Sequence, residues 1–252
     1  MRRKNKERIL ISCIFFTLLM ALFVNYDIKF NKYIFAAQEP STVLGEKKKL
    51  NEENMDKQFK KNEKINEDLN KIIVIDPGHG GADKGTNIGA LYEKDINLKI
   101  AFYTRQYLQD KGFNALMTRE EDKLIPLKEI GNFVNDIRPN VFVSIHVNSF
   151  KESKYKGIST YYYDPNGFQK EERMELAKSI QSENTKDGTW YNRGVLRQNI
   201  AVLRYSNFTC ALVECGFITN EEDRKKLQDE NILKNTGENI AKGIINYIES
   251  NK

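Results

Sequence analysis

The sequence predicts an α/β domain in which a central sheet is covered by helices on both faces. From residue 71 onward, short runs of β-branched and aliphatic residues alternate with longer stretches of helical periodicity. Hydrophobic residues make up 40% of the 252 residues and charged residues 30%, which is an ordinary globular composition. About 180 residues are enough for one such domain with a buried core.

Short apolar runs define the predicted strands. Residues 72–75 read IIVI and are followed by the turn sequence DPG, as expected for a buried strand. Residues 158–163 alternate between apolar and polar side chains, which is typical of a half-exposed strand. The predicted strands comprise residues 72–75, 113–117, 141–145, 158–163 and 211–213.

Longer periodic segments define the predicted helices. In the first of them Ile96 and Ile100 are spaced for one helix face, and Gly112 ends the segment. The last helix places Ile240 and Ile244 on one apolar face. The predicted helices comprise residues 93–111, 127–138, 168–182 and 232–248.

The first 37 residues form an export signal, either a cleaved signal peptide or a signal anchor. Five basic side chains within residues 1–8 precede an uncharged run over residues 9–24. This run is shorter than the ~20 residues that comfortably span a bilayer, and slightly long for a cleaved signal, so both alternatives stand. In either case the remainder of the chain is exported and extracytoplasmic.

Residues 38–70 are a charged linker, because they combine few apolar residues with dense mixed charge. Residues 1–70 carry 14 basic and 10 acidic side chains, whereas residues 71–252 carry 26 and 25. The catalytic domain predicted over residues 71–252 is therefore nearly neutral. This balance argues against a nucleic-acid partner, which requires a basic surface.

Polar residues follow closely after three of the apolar strands. His79 follows the strand at residues 72–75, His146 follows residues 141–145, and Glu214 follows residues 211–213. Ligands bind beyond the carboxyl ends of strands in open α/β sheets. The chain contains only two histidines, and this pattern uses both of them.

Two imidazoles and a carboxylate are the ligands of a hydrolytic zinc site in which water takes the fourth position. The carboxylate ligand is either Glu214 or Glu93, which begins a helix after a glycine-rich stretch. The second carboxylate would then carry the proton from water to the leaving group. The residues alone leave this assignment open.

Four blocks of the sequence resemble the zinc-dependent N-acetylmuramoyl-L-alanine amidases of the amidase-3 family. They are residues 76–81 (DPGHGG), Glu93, residues 144–148 (SIHVN) and residues 213–220 (VECGFITN). The resemblance covers the whole globular part. It implies a three-layer fold of the phosphorylase/hydrolase type, with a mostly parallel, roughly six-stranded sheet.

The resemblance also implies roles for individual residues. His79, Glu93 and His146 would bind Zn²⁺, and Glu214 would be the catalytic carboxylate. The reaction would be hydrolysis of the amide between the lactyl group of N-acetylmuramic acid and L-alanine of the peptidoglycan stem peptide. Asn148 and Arg119 are weaker candidates for contacts with the substrate or with the residues around the metal.

A short, exported chain without wall-binding repeats is most similar to the sporulation-type amidases, which act on spore cortex around the forespore. In that subtype a muramic acid deacetylase then acts on the product, which closes to muramic-δ-lactam. Some members associate with a lipoprotein, so a lipoprotein or another activating partner is expected.

Other functions compete with the amidase hypothesis. The same fold could support a different zinc peptidase or deacetylase, a non-catalytic wall-binding protein, or a membrane-linked scaffold. The cysteines Cys210 and Cys215 are expected to be structural thiols, because five residues of extended chain separate them beyond disulfide distance.

Overall fold

A computed structural model of the chain describes residues 71–251. The predicted signal or anchor (residues 1–37) and charged linker (residues 38–70) lie outside the described residues. Among the helices of residues 71–251, none is long and apolar enough to cross a membrane.

A six-stranded sheet forms the centre of the fold, in the order β4-β1-β5-β8-β6-β7. Strands β4, β1, β5 and β8 run parallel, while β6 runs antiparallel to β8 and carries β7 parallel to itself at the edge. A separate two-stranded hairpin precedes the first helix. The strands are β1 (Ile72–Pro77), β2 (Asn87–Ile88), β3 (Leu91–Tyr92), β4 (Asn114–Met117), β5 (Val141–Asn148), β6 (Ile158–Tyr162), β7 (Asn192–Arg197) and β8 (Cys210–Phe217).

Three long helices cover one face of the sheet: α1 (Glu93–Asp110), α3 (Lys170–Thr185) and α6 (Glu230–Ser250). Because side chains alternate along a strand, Ile75 and Val143 point to this face. They join the larger of two buried apolar clusters, to which all three helices contribute.

Two shorter helices, α2 (Leu127–Ile137) and α4 (Ala201–Arg204), cover part of the opposite face. There Phe142 and Leu212 pack in a second, smaller apolar cluster with residues of both helices. The structure therefore confirms a three-layer α/β domain with a mostly parallel six-stranded sheet. The smaller cluster leaves room for a cleft beside the ends of β1, β5 and β8, because it covers less of the sheet.

The structure adds elements that the sequence pattern did not predict. The edge strand β7 and the short helix α5 (Glu221–Lys226) were both missed. The predicted strand at residues 211–213 is longer and includes both Cys210 and Cys215. Both thiols are free and buried, which confirms their expected structural character.

Candidate active site

The loop after β1 brings His79 to the end of the sheet. The backbone N–H of Gly78 donates to the Ile145 carbonyl at 3.0 Å, so this loop leaves the sheet beside β5. His79 itself has φ 63°, a left-handed conformation that is uncommon outside glycine. Such backbone strain concentrates at functional sites, where the surrounding structure holds it in place.

Arg119 holds this loop by its backbone. Arg119 is 5% exposed, and its guanidinium donates to the carbonyls of Pro77 and Gly78 at 2.8 and 3.0 Å. It also donates to the carbonyls of Lys94 and Glu121 at 2.9 and 3.1 Å. Four of its five N–H groups are thereby engaged within the protein. Two contacts were expected of Arg119, with the substrate or with the residues around the metal, and this buried position that holds the His79 loop favours the second.

Glu93 is the first residue of α1, and its carboxylate is buried between both histidines. The hairpin of β2 and β3 leads directly into it, and the side chain is about 5% exposed. The backbone N–H groups of Val147 and Thr86 donate to Oε1 and Oε2 at 3.0 and 2.8 Å. Burial alone would raise the pKa of Glu93, but its bonds to His146 and His79 outweigh burial and hold that pKa well below its usual range.

His79, Glu93 and His146 converge closely enough to bind a metal ion. Glu93 Oε1 lies 3.1 Å from His79 Nε2 and 3.0 Å from His146 Nδ1. The three ligand atoms all lie within 4.8 Å of one another. Tetrahedral zinc with bonds of about 2.0–2.1 Å has ligand–ligand edges of about 3.3–3.4 Å, so the two measured separations are close to those needed.

The electrostatics of the site also favour a cation. Burial alone would lower the pKa of His79, but the bonds and charges of Glu93 and Asp83 raise it to about 9. The pKa of His146 is raised as well: burial opposes this, but the bond to Glu93 outweighs it. Two imidazoles and a buried anion thus form a donor set that fits Zn²⁺.

Asp83 supports His79 from behind, and sequence reasoning missed it. Its Oδ2 lies 2.8 Å from His79 Nδ1. Because a carboxylate only accepts, Nδ1 must carry the proton, and Nε2 is then the nitrogen directed at Glu93 and the metal position. The only signal in the sequence is an acidic residue four positions after the histidine in a glycine-rich loop.

Glu214 stands beside His146 on the neighbouring strand. His146 in β5 pairs with Glu214 in β8, so both side chains point to the same face of the sheet. Within the described residues, Glu214 Oε2 is buried and has no hydrogen-bond partner. Burial raises the pKa of Glu214 to about 7. A carboxylate with such a pKa is suited to accept and return a proton near neutral pH.

Two clefts meet at Glu214. The first, of about 450 Å³, also contains His79 and His146 and is walled on one side by residues 124–127. The second, of about 410 Å³, contains Asn148 and a group of aromatic side chains. Asn148 Oδ1 accepts from the Ser149 backbone N–H at 2.8 Å, which fixes its amide at the second cleft. Four of the six predicted site residues line these clefts, whereas Glu93 and Arg119 are buried and line neither of them.

The fold and the site define a class: an α/β protein in which two histidines and a glutamate form a candidate metal site at the carboxyl ends of parallel strands. Residues 73–246 match the family described as N-acetylmuramoyl-L-alanine amidase, and the chain belongs to this family. It is therefore an amidase that acts on peptidoglycan.

Curated and solved relatives agree with this assignment. The germination-specific N-acetylmuramoyl-L-alanine amidase of Bacillus subtilis is 32% identical over 192 residues, which cover 70% of this chain and 79% of that protein. The crystal structure of an N-acetylmuramoyl-L-alanine amidase from Clostridium difficile 630 superposes with a TM-score of 0.68 at 34% identity, over 73% of this chain and 100% of that one. The CwlD amidase of Clostridioides difficile, solved in complex with the GerS lipoprotein, gives a TM-score of 0.66 at 33% identity, over 72% and 100%.

Proposed function

We propose that this chain is a zinc-dependent amidase that cleaves the bond between the lactyl group of N-acetylmuramic acid and L-alanine of the stem peptide. One observation carries the proposal: the ligand atoms of His79, Glu93 and His146 converge within 4.8 Å, and Glu214 lies in the same cleft as both histidines. Its Oε2 is buried and has no hydrogen-bond partner among residues 71–251. A hydrolytic metal site needs three protein ligands and a proton carrier, and these four residues supply them.

The ligands are oriented before the substrate arrives. Asp83 fixes the tautomer of His79, and two backbone N–H groups hold the carboxylate of Glu93. Arg119 fixes the loop that carries His79. When bound by His79, Glu93 and His146, zinc supplies Lewis-acid polarisation of the scissile carbonyl and acidifies a water molecule.

Glu214 moves the proton in this mechanism. In its ionised form it accepts a proton from the attacking water as the new bond to the lactyl carbonyl carbon forms. It then returns that proton to the alanine nitrogen, which leaves as an amine when the amide bond breaks. Burial raises the pKa of Glu214 to about 7, so both forms are accessible at neutral pH. Asn148 lies in the adjoining cleft and is proposed to contact the substrate.

The setting proposed for this reaction is the spore cortex. The germination-specific amidase of Bacillus subtilis and the CwlD amidase support this role. We place the enzyme outside the cytoplasm, in the space around the forespore, with residues 1–37 as signal or anchor and residues 38–70 as linker to the domain at 71–252. Its product would go to a muramic acid deacetylase and on to muramic-δ-lactam. The complex of CwlD with a lipoprotein supports a lipoprotein partner here as well.

Product analysis tests the proposed activity. The full-length chain is loaded with zinc and incubated with uncrosslinked peptidoglycan, and soluble products are identified by mass spectrometry. The matched control is Glu214→Gln, which keeps the size of the side chain and removes its charge. We expect free stem peptides beginning with L-alanine from the parent only, with equal zinc in both proteins. Released acetate or cleavage inside the stem peptide would instead indicate a deacetylase or a peptidase.

A further inference from the structure

The cleft on the side of Glu214 away from the metal ligands has a composition of its own. It contains Glu214 but none of His79, Glu93 and His146, whereas the first cleft contains both histidines. Besides Glu214, four of its eight lining residues are aromatic, and the others are one arginine, two amides and one isoleucine. The lining residues are Asn148, Phe150, Tyr155, Tyr161, Arg193, Gln198, Ile200 and Phe217.

The proposed reaction indicates which part of the substrate occupies this cleft. The lactyl carbonyl must sit at the metal ligands, and the amine must leave beside Glu214, which protonates it. The stem peptide continues from that amine, so it must extend past Glu214 and away from the ligands. Of the two clefts described at Glu214, the second, which contains Asn148 and the aromatic side chains, is lined by none of the three candidate metal ligands. It is therefore the cleft into which the peptide runs, and this step rests on the proposed function.

Arg193 provides an uncompensated positive charge in that cleft. Its guanidinium lies over the rings of Phe217 and Tyr155, at 5.1 and 5.4 Å from their centroids. It donates one long hydrogen bond, 3.5 Å, to the Lys156 carbonyl. Within residues 71–251 no acidic side chain forms an ion pair with it, whereas Arg197 on the same strand is paired with Asp164.

The aromatic rings orient the guanidinium of Arg193 without neutralising its positive charge. Tyr155 packs edge-on against Phe150 at 4.5 Å and faces Phe217 at 6.4 Å, so the rings form one continuous surface. Stacking of this kind orients the planar fork of an arginine, which matches the geometry of a carboxylate. The guanidinium of Arg193 is therefore available to bind an anionic group of the substrate.

We propose that Arg193 binds the free carboxylate of the second residue of the stem peptide. When that residue is a glutamate joined through its side chain, its α-carboxylate remains free one residue beyond the alanine nitrogen. Arg193 and Glu214 line the same cleft, and one residue of extended chain adds about 3.3–3.8 Å, so a carboxylate one residue beyond the leaving nitrogen would enter the cleft that holds Arg193. The enzyme would then prefer a stem peptide with a free carboxylate at this position over one in which it is amidated.

Two matched substrates test this preference in the full-length, zinc-loaded chain. Both are N-acetylmuramoyl tripeptides with an amidated carboxyl terminus, and they differ only in a free or amidated carboxylate at the second residue. We expect kcat/KM to favour the free acid by about tenfold to a hundredfold, as for one charge-assisted hydrogen bond. In Arg193→Gln the ratio should fall close to one. Arg197→Gln, on the same strand but paired with Asp164, should keep the parental ratio.

Binding of the free tripeptides, measured by calorimetry, separates this inference from the proposed function. Acid-selective binding that is lost in Arg193→Gln supports the anion site even if neither substrate is cleaved. Cleavage of both substrates at equal rates by the parent would support the amidase activity and overturn the role of Arg193. Equal losses on both substrates in Arg193→Gln would also overturn it, because a merely structural arginine does not distinguish acid from amide.

Discussion

Replacing Gly78 with alanine would place one methyl group against the imidazole of His146. An ideal Cβ at this position lies 2.7 Å from His146 Nδ1 and closer still to Cε1 and Nε2. Carbon atoms in contact normally stay about 3.5–4.0 Å apart, so the ring must withdraw by roughly 1 Å or more. Gly78 is not in the left-handed region, so the methyl group adds steric pressure without backbone strain.

The expected loss falls mainly on the metal site. His146 Nδ1 lies 3.0 Å from Glu93 Oε1, and ligand positions in metal sites tolerate only about ±0.2 Å. Displacing the ring therefore removes one of three ligands. We expect zinc affinity to fall by more than the 10–100-fold typical of losing a residue that merely supports a ligand. The metal-free fold should lose about 1–3 kcal/mol, as in other overpacked sites.

Zinc content after dialysis and competition with a chromophoric chelator measure the affinity, and urea unfolding of the metal-free chain measures stability. The matched control is Gly243→Ala in α6, whose Cβ would lie 2.5 Å from the Ile180 backbone in α3, within the same helical layer. This variant should lose comparable stability and keep its zinc. Parental zinc affinity in Gly78→Ala would refute the reasoning, because it would mean that the imidazole of His146 is not held against Gly78 as a ligand.

Three further predictions concern the groups around the site. Glu214 must be ionised to accept a proton, and burial raises its pKa to about 7, while a bound cation lowers it again. We therefore expect kcat/KM to rise with pH through a value of about 5–7. A profile that is flat from about pH 5 to 8 would contradict the role of Glu214 as the base. Asp83→Asn should reduce zinc affinity about 10–100-fold, measured by chelator competition, because a neutral amide orients the His79 imidazole less firmly than the carboxylate of Asp83. Unchanged zinc affinity would show that Asp83 does not support His79. Arg119→Met should lower the free energy of unfolding, measured in urea, by about 3–5 kcal/mol, because buried carbonyls lose their hydrogen-bond donors. A loss under about 1 kcal/mol would show that water replaces these donors.

Local pattern predicted the centre of the sheet and failed at its edge. Strands β1 and β5 are buried on both faces, so they appear in the sequence as continuous apolar runs. β7 reads NRGVLR, with polar ends, a central glycine and no buried residue, because an edge strand packs against one neighbour only. Its pairing with β6 depends on backbone hydrogen bonds, which leave little trace in the sequence.

Residue type and strand position predicted the rim of the candidate site, while its supporting contacts required the structure. His146 and Glu214 follow apolar runs directly, and His79 follows one after a short turn, so topology alone brings them together. Arg119 follows a predicted strand in the same way, yet its guanidinium turns inward to backbone carbonyls. Whether a polar side chain faces a cleft or the interior depends on the loop packed against it, and no local periodicity encodes that packing.

The surroundings of the two carboxylates indicate which one is the metal ligand and which one carries the proton, a choice that the sequence leaves open. Glu93 is buried and Glu214 is half-buried, both lie beside histidines, and spacing alone favours neither as the ligand. Glu93 accepts two backbone N–H groups and contacts both imidazoles, which stabilises its anion and suits it to a cation. Glu214 Oε2 has no partner in the described residues, so burial raises its pKa to about 7. A carboxylate that is strongly stabilised as an anion is a poor proton carrier. A buried carboxylate oxygen without hydrogen-bond donors is poorly stabilised as an anion and accepts a proton more readily. The hydrogen-bond donors around each side chain therefore support Glu93 as the ligand and Glu214 as the acid and base.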